Sequence, residues 1–62
     1  MGENKESQCL EVEIGRAVLQ VRRLGYPVSL GEIINYLSEE RVREKDKVRR
    51  CFLTRAINLL ME

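Results

Sequence analysis

The chain has 62 residues, a formal net charge of +1, no histidine and two cysteines. One domain is the limit at that length; it buries only about 60% of its unfolded surface, so a partner subunit is an expected source of stability. The missing histidine excludes His-based triads and His-containing zinc sites, and neither Cys9 nor Cys51 sits in a CxxC pair, so no disulfide framework, metal site or other cofactor is expected.

Residues 1–8 are polar and are expected to form a flexible segment ahead of a single helical domain over 9–62. The start "MGENKES" has Glu6 where a myristoylation signal needs Ser or Thr. From Leu10 the apolar residues Ile14, Ala17, Val18, Val21 and Leu24 follow at helical spacing. Gly25 falls at a C-cap and Pro27 blocks continuation, so helix one is predicted over about 9–24. Val12 and Leu19 lie almost opposite that stripe, with Gly15 beside them, where a second backbone can approach.

"GYPVSLGEII" then signals a new helix. Ser29 followed three residues later by Glu32 is a capping box, and Val28 with Ile33 has the spacing of a hydrophobic staple. Helix two is predicted over about 29–40, with Leu30, Ile33, Ile34 and Leu37 on one face. Gly31 weakens it by about 1 kcal/mol relative to alanine, so packing must hold it. Beyond it, "SEERVREKDK" reads either as a loop near 41–45 or as a fraying extension of the helix.

Asp46 is a suitable N-cap for helix three, predicted over about 46–61. Val48, Phe52, Leu53, Ala56, Ile57, Leu59 and Leu60 share one half of its wheel, which is wider than two neighbouring helices require. Arg49 points toward that half and is expected to snorkel. Lys47, Arg50, Thr54 and Asn58 share the opposite side. The fold expected is therefore all-α, a three-helix hairpin-like chain assembling as a homodimeric helical bundle. Its interface is expected at Val12, Gly15, Leu19, Leu53, Ile57 and Leu60.

Charge is unevenly spread. Residues 1–14 carry a net −3, whereas 41–55 carry a net +5, with seven bases against Glu44 and Asp46. A basic block of that density suits an anionic partner. Arg41, Arg43, Lys47, Arg50, Thr54 and Asn58 are the expected contact residues. No run approaches the roughly 18 apolar residues of a membrane span, so a cytoplasmic protein without membrane contact is expected.

Enzymatic chemistry has little support. The carboxylates fall on helix surfaces among bases, the four glycines are dispersed, and no small-molecule substrate is indicated. DNA recognition through the row Lys47, Arg50, Thr54, Asn58 is the alternative to a protein partner. Against it, a helix-turn-helix joins its helices by three or four residues, usually with glycine, and "SEERVREKDK" is long and glycine-free.

"EVEIGRAVLQVRRLGYPVSLGEIINYL", followed by "DKVRRCFLTRAINLLME", resembles the YmgB/AriR family of small enterobacterial biofilm-development and acid-resistance regulators. The likeness covers residues 10–62 and rests on Glu11, Ile14-Gly15, Ala17-Val18, Gly25, Val28-Ser29, Ile33-Ile34 and Leu37. It implies a non-enzymatic, all-helical homodimer. Such a connector acts by contacting a response regulator of the Rcs phosphorelay, and DNA binding is also proposed for the family. Members carry a longer segment ahead of the first helix.

Overall fold

A computed structural model describes residues 5–62, with side chains described from Gln8 onward. The described chain is three helices and no strand: α1 (Lys5–Arg23), α2 (Leu30–Arg43) and α3 (Lys47–Met61). Each helix packs on both others. Of the segment expected to be flexible, residues 1–4 lie outside the described residues, while 5–8 form the first turn of α1. Polarity alone did not stop the helix there, because no glycine or proline interrupts residues 5–9.

Sequence chemistry accounts for the other ends. Gly25 adopts φ 86°, the left-handed conformation that favours glycine. Its N–H donates to the Arg22 carbonyl at 3.0 Å, and the Tyr26 N–H donates to the Val21 carbonyl at 3.2 Å. These two bonds make a Schellman cap, which satisfies carbonyls the helix would otherwise leave unpaired. At the start of α2, the Glu32 N–H donates to Ser29 Oγ at 3.3 Å. Val28 stays 52% exposed, so it contributes little to a staple over Ile33.

The ambiguous stretch resolves as helix. α2 runs to Arg43, and only Glu44, Lys45 and Asp46 connect it to α3. The Glu44 N–H closes α2 on the Glu40 carbonyl at 2.9 Å. The Glu44 carboxylate accepts from the Asp46 N–H at 3.1 Å, and Asp46 Oδ1 accepts from the Val48 N–H at 2.8 Å. Consecutive side-chain caps thus make a tight corner without glycine. The connection is therefore short, and its supposed length no longer argues against a helix-turn-helix.

The core is small: Ala17 and Val21 from α1, Ile33 and Leu37 from α2, and Leu53, Ala56 and Ile57 from α3. Leu10, Ile14, Val18 and Leu60 pack against it from its edges. Helix three's apolar half is divided between two roles. Its central sector is buried, while Val48 and Leu59 remain 63% and 48% exposed beside half-buried Phe52.

Candidate functional site

Arg49 is the centre from which the functional surfaces are organised. Instead of snorkelling into water, it gathers carboxylates from both other helices and the α2–α3 link. Its Nε and Nη2 donate to the two oxygens of Glu13 on α1, each at 3.0 Å. Nη1 donates to Glu44, and Glu40 lies 3.7 Å from Nη2. The Glu13 and Glu44 side chains are only 12% and 19% exposed. A planar guanidinium suits this arrangement because its fork grips one carboxylate with two parallel bonds. The hydrogen bonds that Arg49 donates to Glu13 and Glu44 hold its guanidinium still further above its ordinary range. Arg49, then the Asp46 backbone N–H, holds the Glu44 carboxyl below its ordinary value of 4.5. Sequence reading missed this clasp. The signal was a basic residue at an apolar-facing position, which needs a partner.

The clasp changes what the basic block presents. Its two acids are both engaged inside the chain, Glu44 by Arg49 and Asp46 as an N-cap. Arg41, Arg43, Lys45, Lys47 and Arg50 are all exposed. Arg41 Nη1 donates to Thr54 Oγ1 at 3.3 Å, which sets the end of α2 against the row on α3. Thr54 in turn donates to the Arg50 carbonyl at 3.0 Å. Lys47 and Asn58 lie on the same exposed side of α3, while Arg43 falls on a different flank of α2 from Arg41.

A second surface lies between α1 and α3. Val12 and Leu19 are 56% and 59% exposed, and Gly15 has nothing within 4 Å of where a Cβ would stand. Val12 and Phe52 line a shared groove of about 420 Å³ with Cys9. Leu53 and Ile57, expected at a dimer interface, are instead 0% and 8% exposed within this chain's own core. Leu60 packs against the same core. A helical wheel shows that a face is apolar but not which sector a neighbour covers. The large apolar residues that α3 leaves exposed are Val48, Leu59 and Met61, with Phe52 half-buried.

Cys9 and Cys51 are both exposed free thiols. No helix among the described residues is long and apolar enough to cross a membrane. Comparison with protein-family models, curated proteins and solved structures finds no match.

Proposed function

We propose that this chain is a non-enzymatic regulatory module whose basic α2–α3 face docks on an acidic surface of a protein partner. One observation carries the reading: Glu44 is paired with Arg49 and Asp46 caps α3, while Arg41, Arg43, Lys45, Lys47 and Arg50 are all exposed. The sequence resemblance to the YmgB/AriR family supports a response regulator of the Rcs type as that partner, in biofilm and acid-resistance control. The same resemblance supports a cytoplasmic homodimer. Exposed Val12, Leu19, Val48 and Leu59, with the groove between Val12 and Phe52, are apolar surface a second copy would cover.

A charged face of this kind mainly steers association. Binding to a purified response regulator should therefore weaken with salt and slow on Lys47→Glu/Arg50→Glu double substitution, with nuclease present throughout. Normal binding by the double variant would overturn the reading. Direct DNA recognition is the second reading, and the three-residue link between α2 and α3 favours it. There, Arg50→Ala would reduce discrimination between base sequences, and Lys47→Ala would weaken all sequences alike.

A further inference from the structure

The corner where α1 gives way to α2 exposes more apolar surface than a turn requires. Leu24, Tyr26, Val28 and Leu30 are 61%, 56%, 52% and 54% exposed. Between this corner and α2 lies a groove of about 410 Å³. Buried Val21 forms its floor. Leu24 and Tyr26 form one wall, and Glu32, Asn35, Tyr36 and Glu39 form the other. The wall residues on α2 recur at spacings of three and four, so they share one helical face. The Schellman cap fixes the opposite wall, since the Tyr26 N–H is bonded to the Val21 carbonyl.

The chemistry of this groove is specific. It carries two carboxylates, two phenol rings and aliphatic surface, with no basic residue in its lining. Neither Glu32 nor Glu39 is among the carboxylates gathered by Arg49. Aromatic faces attract cations, and the two carboxylates add negative charge and hydrogen-bond acceptors. We propose that the groove docks a basic segment of a partner protein. One arginine or lysine lays its aliphatic stem against Tyr26 and Tyr36 with its charge between Glu32 and Glu39, while a neighbouring apolar residue of the segment covers Leu24. Glu32 and Glu39 lie about 10 Å apart along α2, one turn to either side of Tyr36.

This site is separate from the basic face. Residues 39 and 41 are two apart, which puts them about 200° apart around a helix. Glu39 thus serves one flank of α2, and Arg41, bonded to Thr54, serves the other. A chain with both surfaces joins an acidic surface on one side to a basic segment on the other. The inference does not depend on the proposed function.

The protein contains its own reporter, because Tyr26 and Tyr36 are its only tyrosines and it has no tryptophan. Tyrosine emission of the full chain is followed while the blocked tripeptide acetyl-Leu-Arg-Leu-amide is added, with Gln and Glu counterparts as controls. The Arg peptide should give a saturable change that weakens with salt. The Gln peptide should bind about tenfold more weakly, and the Glu peptide should leave the emission unchanged. Glu32→Gln/Glu39→Gln, with helicity verified by circular dichroism, should weaken the Arg peptide about tenfold or more. Lys47→Glu/Arg50→Glu should bind that peptide like the parent chain, which separates failure of this site from failure of the basic face. Equal responses to the three peptides, or full affinity in the double Gln variant, would overturn the proposal. So would an emission change on simple dilution of the protein, which would place a second copy in the groove.

Discussion

Replacing Arg49 by methionine keeps the aliphatic stem and removes the charge from the centre of the clasp. Glu13, Glu40 and Glu44, with side chains 12%, 25% and 19% exposed, would then face one another without a cation. Breaking a fully buried ion pair from one side costs about 3–5 kcal/mol, whereas an exposed pair is worth about 0–1 kcal/mol. The Arg49 side chain, 26% exposed and gripping Glu13 through two 3.0 Å bonds, lies between those limits. A loss of about 2–3 kcal/mol is expected from the Arg49–Glu13 contact. Total stability for a chain of this size is about 3–9 kcal/mol, so the loss is a large fraction of it. In urea, followed by far-UV circular dichroism at fixed protein concentration, the midpoint should fall by about 2–3 M for a slope near 1 kcal/mol/M. The same substitution in a Glu13→Gln background should cost at least about 1 kcal/mol less, since the two residues are directly coupled. A loss below about 0.5 kcal/mol would refute the reasoning and mark the clasp as a solvent-screened surface pair.

Acid should weaken the same clasp. The Glu44 carboxyl is held below its ordinary value, so its contribution is present above pH 4.5 and lost as pH falls through its folded value; urea midpoints measured downward from that pH should drop in the parent chain and flatten in Arg49→Met. Ser29→Ala should cost about 1 kcal/mol in thermal melts, the usual loss for an N-cap that accepts from the helix. Gly25→Ala should cost about 1–2 kcal/mol although its surroundings are open, because the strain is in the positive φ itself. Gly15→Ala should stabilise the dilute chain by about 1 kcal/mol through helix propensity. In sedimentation at high concentration the same change should weaken self-association, because the close approach of a second backbone is lost.

The number of helices and their chemical stops were legible in the sequence because they depend on local interactions. Gly25 stops α1 through its own backbone conformation, and Ser29 and Asp46 cap α2 and α3 through groups two or three residues away. The central apolar stripe was legible for a similar reason, since Ala17 and Val21, Ile33 and Leu37, and Leu53, Ala56 and Ile57 recur at helical spacing within their helices and all are buried. What spacing leaves open is which sector of a wide apolar face another helix will cover. Only packing separated enclosed Leu53 and Ile57 from exposed Val48 and Leu59. The length of α2 was likewise open, because Glu40 to Arg43 contain no strong stop and Glu44 becomes one through its bonds to Asp46 and Arg49. The bond from Arg49 to Glu13 spans 36 residues, and no local pattern encodes a contact at that separation. Composition already supplied the cationic character of residues 41–55; the tertiary fold decided that Arg49 turns inward to Glu13 while Arg41, Arg43, Lys45, Lys47 and Arg50 stay exposed.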